Sequence, residues 1–332
     1  MAETMKNTAI TLIESVTQAL AYELKRDSEV IIIGEDVGVN GGVFRATAGL
    51  QIHFGADRVL DTPLAENMLI GMSVGMAAQG LKPVVEIQFL GFLYSGLDQI
   101  ISHASRIRNR TRGRLTCPLV IRTPFGAGIH PPEHHSESTE ALVAHIPGIR
   151  VVVPSTPARA YGLLLAAIRD PDPVLFLEPT RLYRLLKQEV PDTGEALPLD
   201  LCFVSREGHD VTLVSWGAMM HETLQAAEQL SLQGIEAEVI DVATIKPLDM
   251  ATILASVEKT GRCVIVQEAT KSFGVGAEIA AQLAEHALMS LLAPIQRVAA
   301  FDIIVPLYKM EGYYLPTVEC ILKAVHKVME FA

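Results

Sequence analysis

This sequence of 332 residues contains four cysteines, but no two of them lie close together along the chain. Their spacing includes no C-x-x-C motif, so neither a zinc ribbon nor a redox dithiol centre is expected. The disulfide framework of a small secreted domain is not indicated either, and a reducing compartment is expected. The four residues are Cys117, Cys202, Cys263 and Cys320.

The chain also lacks a surplus of basic residues. Its 27 Lys and Arg stand against 38 Asp and Glu, which gives a net charge of −11. The densest basic segment has arginines at alternate positions from Arg106 to Arg114, and on a helix these would spread around the cylinder. Because no basic stripe could neutralise phosphates, we expect no nucleic-acid partner.

Long apolar runs are the third absence. No run approaches the ~18 residues that a membrane-spanning helix needs. The polar start, residues 1–7, lacks the apolar core of a signal peptide. We therefore expect a soluble, cytoplasmic protein with no targeting segment and no membrane partner.

Short apolar runs do occur, and they alternate with stretches of helical periodicity. Residues 30–33 are typical of a buried parallel strand, residues 11–26 predict an amphipathic helix, and residues 97–110 predict one long helix. The alternation favours an α/β fold with two doubly wound, largely parallel sheets. The pattern fails where Pro191, Gly194 and Pro198 lie in a polar context. We therefore predict a first domain over 1–185, a linker over 186–206 and a second domain over 207–332.

Ligands of open parallel sheets bind at the carboxyl ends of the strands. In the first predicted domain this rule selects Glu35, Asp36, Gln88 and the loop over 123–137, and in the second it selects Glu268. The fold alone assigns no function to these side chains, because one fold serves many chemistries.

Glu66 follows Asp61-Thr62-Pro63 in the first turn of an apolar helix. One interpretation is an acid that complements the helix dipole. The other is a carboxyl at the edge of a dry site, with a raised pKa, that exchanges a proton with a ligand nitrogen. Spacing alone does not separate the two.

Residues 130–137 place three imidazoles and two carboxylates within eight positions. Such side chains are common metal ligands, but the neighbouring Pro131 and Pro132 disfavour a helical H-x-x-x-H frame. The segment could also bring His134 or His135 over a substrate as an acid or electrostatic stabiliser. A solvated surface loop remains the third alternative.

Several strings, taken together, are far more specific than these fragments. In order, they are Gly34-Glu35-Asp36-Val37-Gly38, Asp61-Thr62-Pro63-Leu64-Ala65-Glu66, Glu86-Ile87-Gln88-Phe89, His135-Ser136-Glu137-Ser138, Val153-Pro154-Ser155-Thr156-Pro157, Glu268-Ala269-Thr270-Lys271 and Tyr314-Leu315-Pro316. They span almost the whole chain, which resembles the β subunits of the thiamin-diphosphate-dependent, decarboxylating first components of 2-oxo acid dehydrogenase complexes.

The resemblance implies a transketolase-like fold, with a pyrimidine-binding domain followed by the carboxy-terminal domain of that superfamily. It also implies an α2β2 heterotetramer, in which a separate α subunit holds the cofactor diphosphate through Mg²⁺. Neither Gly-Asp-Gly nor Asn-Asn, the α-type metal motif, occurs in this sequence. A diphosphate without Mg²⁺ ligands would be poorly held, so we expect no activity from this chain alone.

By the same resemblance, Glu66 binds the pyrimidine ring nitrogen, and Gln88 and Phe92 line the pyrimidine pocket. His135 faces the substrate and assists reductive acylation of a lipoyl group, while Ser136 helps to shape its loop. Asp170 and Asp172 match a region where some relatives bind a monovalent cation, K⁺.

The substrate and the partners are also expectations from the resemblance. The form Pro132-Glu133 followed by His135-Ser136 and an acid is similar to bacterial pyruvate-type β subunits, which favours pyruvate. A β subunit for branched-chain 2-oxo acids or acetoin, and a non-catalytic scaffold of the same fold, are the alternatives. A dihydrolipoyl acyltransferase core should dock through its subunit-binding domain, and the acidic balance of the chain would suit a basic docking surface.

Overall fold

The computed structural model describes residues 9–331, so the polar start discussed above lies outside the described residues. The described chain forms two compact units. Unit 1 contains the described residues up to Pro124 together with Ile146–Arg150 and Thr156–Leu199. Unit 2 contains Phe125–His145, Val151–Ser155 and the residues from Asp200 onward. The expected boundaries at 1–185, 186–206 and 207–332 stay a prediction.

The strands are β1 (Ala9–Thr11), β2 (Val30–Gly34), β3 (Val59–Asp61), β4 (Lys82–Glu86), β5 (Val120–Phe125), β6 (Arg150–Val152), β7 (Val174–Pro179), β8 (Lys187–Glu189), β9 (Phe203–Arg206), β10 (Val211–Ser215), β11 (Ala237–Asp241), β12 (Thr244–Lys246), β13 (Cys263–Thr270) and β14 (Gln296–Ala300). The α-helices are α1 (Leu12–Arg26), α2 (Leu50–Phe54), α3 (Glu66–Ala78), α4 (Leu97–Ser102), α5 (Ile107–Arg110), α6 (Glu140–Ala144), α7 (Pro157–Arg169), α8 (Met219–Ser231), α9 (Met250–Thr260), α10 (Val275–His286), α11 (Tyr308–Tyr314) and α12 (Val318–Met329).

Five neighbouring strands of a seven-stranded sheet lie in unit 1 in the order β7-β5-β4-β2-β3, and β2 pairs in parallel with both β3 and β4. Every residue of β2 is buried, as expected of a parallel strand covered on both faces. The register places Gly34 opposite both Asp61 and Glu86, and Glu86 opposite Arg122. The carboxyl ends of four strands therefore meet at one edge of this sheet.

Helix α1 begins where the sequence predicts it. The hydroxyl of Thr11 accepts a hydrogen bond from the backbone N–H of Glu14, and the Glu14 carboxylate accepts one from the Thr11 N–H, which forms a capping box. The apolar face of α1 packs against α7. There the buried Glu23 accepts hydrogen bonds from the Arg169 guanidinium at 2.6 and 2.9 Å.

The prediction of one continuous helix over 97–110 is wrong. The segment forms α4, a 3-10 turn over Ala104–Arg106 and α5. The carbonyl of Ile101 accepts from the Ser105 hydroxyl at 3.0 Å and from the Arg106 side chain at 2.7 Å. These side chains take the acceptor that a continuous helix would offer to the Ser105 N–H, so the helix is interrupted.

The sheet of unit 2 has the strand order β14-β13-β10-β11-β9. Its pairs are parallel except for β9, which runs antiparallel to β11. Apolar residues of β10, β11 and β13 form its core with α8 and α12. In the segment expected to be a linker, β8 pairs with β1 and β9 joins this sheet.

The expected α/β fold with two largely parallel sheets is confirmed. Among residues 9–331, none of the helices combines the length and the apolar character that crossing a bilayer requires.

Candidate active site

A cleft lies at the carboxyl edge of the unit 1 sheet. Three acids and one amide line it: Glu35, Glu66, Glu86 and Gln88. The rest of its wall is mostly apolar and comes from Pro63, Leu64, Ala65, Leu69 and Ile87. The structure thus brings two of the predicted site residues, Glu66 and Gln88, to one place.

Glu66 is the first residue of α3, and its side chain is half-buried. Its Oε2 lies 3.4 Å from the hydroxyl of Ser95, on a 3-10 segment that packs against α3. Gly96 makes this packing possible, because a Cβ there would lie 2.4 Å from Ile70 Cδ1 and 3.3 Å from the Glu66 carbonyl oxygen. Glu66 therefore occupies both the helix N-terminus and the cleft wall, so the position fits either interpretation of this acid.

Glu35 adds a second carboxyl beside Glu66. Burial raises the pKa of Glu35, and the negative charges of Asp36 and Glu66 raise it further. The following loop is held by Asp61, whose carboxylate accepts from the N–H of Gly38 at 2.6 Å and of Val39 at 3.2 Å. Glu35 is thus harder to ionise in this cleft than a free carboxyl.

Phe92 does not line this cleft, although it lies on the same 3-10 segment as Ser95. Its carbonyl oxygen lies 3.0 Å from the Ser95 hydroxyl, and its ring packs edge-on against Phe89 with 5.6 Å between centroids. Its assignment to a pyrimidine pocket stays a prediction.

A buried network of charged residues contacts the cleft through Glu86, and the sequence did not predict it. The Arg122 guanidinium donates to Glu178 at 2.7 and 2.8 Å and also to Glu86, and the Tyr183 hydroxyl donates to Glu178 at 2.6 Å. Burial raises the pKa of Glu86, Arg122 opposes that rise, and Glu178 adds to it. The signal was present, because Glu86, Arg122 and Glu178 stand among mostly apolar residues in β4, β5 and β7.

The histidine segment belongs to unit 2, where a 3-10 turn over Glu133–His135 carries His134 and His135. His135 is half-buried, and its N–H donates to the Pro132 carbonyl at 2.9 Å. Ser136 is buried. Within residues 9–331, no cluster of three His, Cys, Asp or Glu side chains is arranged to hold a metal ion.

Glu140, at the start of α6, is a buried acid that the sequence did not single out. Its Oε1 accepts from the indole N–H of Trp216 at 3.2 Å. In the described part of the chain, its Oε2 has no hydrogen-bond partner. Burial raises the pKa of Glu140 to about 7, against the effect of the Trp216 hydrogen bond.

Asp170 and Asp172 lie in the turn after α7. Arg150 contacts Asp170 at 3.1 Å, and Arg108 contacts Asp172 at 2.6 Å. The Asp170 carboxylate also accepts from the Asp172 N–H at 2.8 Å. Both carboxylates are thus engaged with arginines, and the monovalent-cation site stays a prediction.

Two family models match the chain. The pyrimidine binding domain of transketolase matches residues 8–185, and the C-terminal domain of transketolase matches residues 202–321. A solved structure entitled "Split gene transketolase, inactive beta4 tetramer" superposes with a TM-score of 0.81 at 21% identity, over 98% of this chain and 99% of the other. The expected transketolase-like fold is confirmed.

Curated relatives are much more similar in sequence. The chain is 51% identical to "Pyruvate dehydrogenase E1 component subunit beta" of Bacillus subtilis (strain 168), over 97% of this chain and 99% of the relative. Proteins of the same name from Staphylococcus epidermidis and Staphylococcus aureus are 49% and 48% identical over the same shares of both chains.

Proposed function

This chain belongs to the family of the pyruvate dehydrogenase E1 component β subunits, and we propose that, together with an α subunit, it decarboxylates pyruvate and reductively acetylates a lipoyl group. Identity near 50% over nearly the full length of relatives that share one name supports this function. The observation that carries the mechanism is the position of Glu66, at the start of α3 and in a cleft shared with Glu35 and Gln88.

Membership of this family implies the use of thiamin diphosphate. The lining of the cleft offers groups that can hydrogen-bond the aminopyrimidine part of that cofactor, because carboxyl and amide side chains lie beside a largely apolar wall. When bound, the cofactor supplies the electron sink that makes loss of CO₂ from a 2-oxo acid possible.

The residues of this chain bind and orient the pyrimidine and move a proton. We assign to Glu66 the exchange of a proton with the pyrimidine ring nitrogen, for which a carboxyl at hydrogen-bond distance is suited. Burial and the charges of Asp36 and Glu66 raise the pKa of Glu35, so this second carboxyl of the cleft resists ionisation more than a free one does. Gln88 can donate and accept through its amide, and Phe92 would stack on the ring if the cofactor reaches it.

Membership of the family also implies an α partner and assembly into a tetramer. We propose that the α subunit holds Mg²⁺ and the diphosphate, since the motif for that task is missing from this sequence. Further proposals are a K⁺ site at Asp170 and Asp172, acetyl transfer assisted by His135, docking to a dihydrolipoyl acyltransferase core, and a cytoplasmic location in a bacterial cell.

Reconstitution tests the function. We expect cofactor-dependent decarboxylation of pyruvate from the purified chain mixed with its α subunit, and no activity from either subunit alone. Pyruvate, branched-chain 2-oxo acids and acetoin should be compared on the same preparation. Full activity of the lone chain would refute the requirement for an α subunit, and a preference for a branched substrate or acetoin would refute the pyruvate assignment. Correct assembly without any activity would favour the scaffold.

A further inference from the structure

The histidine segment, residues 126–138, is held by two buried carboxylates of unit 2. Glu268, in β13, is 7% exposed, and Glu311, in α11, is 2% exposed. Both lie far from the segment in sequence, and Glu311 contacts His130 of the segment.

Glu268 holds the two ends of the segment together. Its Oε1 accepts from the backbone N–H of Ala127 at 2.7 Å and from the hydroxyl of Ser138 at 3.1 Å. The N–H of Gly126 donates to the carbonyl of Glu137 at 3.0 Å, which closes the same base. Gly126 has φ +89°, and a Cβ there would lie 2.6 Å from Glu268 Oε1, so the backbone approaches this carboxylate more closely than a side chain would permit.

Glu311 holds the segment one step further along. Its Oε1 accepts from the N–H of Gly128 at 2.5 Å, and its Oε2 contacts Nδ1 of His130. The ring of His130 packs edge-on against Tyr308, from the same helix, with 4.9 Å between centroids. His130 itself has φ +64°, a conformation that favours glycine and that these contacts stabilise.

Helix α11 buries a carboxylate and leaves most of its large apolar and aromatic side chains exposed. Only Glu311 and Tyr314 are buried in it, whereas Tyr308, Met310 and Tyr313 are more than half exposed. A helix that only contributed to a core would turn its apolar residues inward. The inward face of α11 instead presents a carboxylate to two groups of the histidine segment, and hydrogen bonds to a charged acceptor are stronger than neutral ones.

We propose that Glu268 and Glu311 are positioning residues that hold the histidine segment in the geometry needed for acyl transfer to the lipoyl group. The inference rests on the proposed function, since it takes His135 as the group that assists this transfer. Loss of either carboxylate frees the backbone of 126–130 and with it the turn that carries His134 and His135. Decarboxylation, which depends on the unit 1 cleft, continues.

The test uses the reconstituted α and β assembly with Glu311→Ala, Glu311→Gln and, as a matched control, Glu285→Ala on the exposed face of α10. Hydrogen exchange of peptides covering 125–139 reports on the segment without reference to activity. We expect Glu311→Ala to speed this exchange by about tenfold or more, with the rest of unit 2 unchanged, and Glu311→Gln, which keeps an acceptor oxygen, to speed it less.

Activity is measured in two ways on the same samples. Acylation of a lipoylated domain should fall by about tenfold to a hundredfold in Glu311→Ala, while dye-coupled decarboxylation of pyruvate stays within about twofold, since a small misplacement of a reacting group is costly. Glu268→Gln should behave as Glu311→Gln does. If Glu311→Ala does not assemble, the Gln variants decide by the same two measurements.

Unchanged hydrogen exchange in 125–139, or an equal fall of both activities, would overturn the positioning role. The proposed role of His135 fails separately: in that case His135→Ala leaves acylation unchanged, although Glu311→Ala still loosens the segment.

Discussion

Glu66 lies at the N-terminus of α3 and also lines the cleft. The N–H groups of the first turn of α3 have no acceptor within the helix, and the wall of the cleft is largely apolar. A carboxyl in this position can exchange a proton with a ligand, which an amide of the same shape cannot do.

Glu66→Gln should therefore lower cofactor-dependent decarboxylation by at least about a hundredfold, because proton transfer by a placed side chain contributes at this level. Steady-state kinetics of the α and β assembly measures the loss, and size-exclusion chromatography checks that the assembly is intact. Glu195→Gln, at an exposed acid of unit 1, serves as the control. Wild-type rates from Glu66→Gln would remove this residue from the mechanism.

Glu140 gives the chain a spectroscopic reporter, because Trp216 is its only tryptophan. Since burial raises the pKa of Glu140 to about 7, the indole N–H should donate to a neutral carboxyl in acid and to a carboxylate in base. The emission of Trp216 in the purified chain should then change with a midpoint near pH 7. Glu140→Gln should abolish the change and Glu285→Gln should keep it; a titration that survives in Glu140→Gln would assign it elsewhere.

The raised pKa of Glu140 also makes the stability of the folded chain depend on pH. The pKa of Glu140 is higher in the folded chain than its ordinary 4.5, so folding favours the neutral form. Its contribution to stability is complete below the unfolded pKa and is lost as the pH rises through about 7. In denaturant titrations, Glu140→Gln should therefore gain stability over the wild type at about pH 8.5 and not at about pH 5.

At the scale of elements, the contact between α3 and the 3-10 segment Leu90–Gly96 sets the position of Glu66. Gly96 is the point of closest approach, with Ile70 and the Glu66 backbone directly opposite. Overpacking at such a point costs about 1–3 kcal/mol and moves the backbone.

Gly96→Ala should therefore raise the half-saturating concentration of thiamin diphosphate by about tenfold, which corresponds to about 1.4 kcal/mol. Activity measured against cofactor concentration in the reconstituted assembly gives this value. Gly312→Ala is the control, because a Cβ at Gly312 meets no atom within 4 Å. An unchanged cofactor requirement in Gly96→Ala would show that this packing does not control the cleft.

At the scale of the whole molecule, the net charge of −11 acts over distances longer than any single contact. If the acyltransferase docks through a basic surface, opposite charge mainly speeds the encounter. Raising NaCl from about 50 to about 500 mM should then lower the association rate constant by about tenfold while the dissociation rate constant changes less. Surface-plasmon measurements on the α and β assembly check this, and an association rate independent of salt would contradict a charge-steered encounter.

The sequence by itself determined the fold class, since buried β-branched runs and amphipathic helices follow from periodicity that local residues carry. It also determined the family, because motifs such as Glu86-Ile87-Gln88-Phe89 are strings of neighbours. The prediction of a continuous helix over 97–110 was wrong because the side chains of Ser105 and Arg106 both donate to the Ile101 carbonyl. Hydrophobic periodicity carries no information about such side-chain hydrogen bonds.

Only the tertiary structure decided which distant acids act together. Glu86 and Arg122 meet because the register of β4 and β5 aligns them, and Glu178 joins them from the neighbouring strand β7. Glu268 and Glu311 meet the histidine segment because unit 2 folds residues far apart in sequence onto one another. The absence of closely spaced cysteines, of a basic surplus and of long apolar runs follows from composition and local spacing, so the sequence alone determined it. The partners of a buried carboxylate are set by packing, and packing exists only in three dimensions.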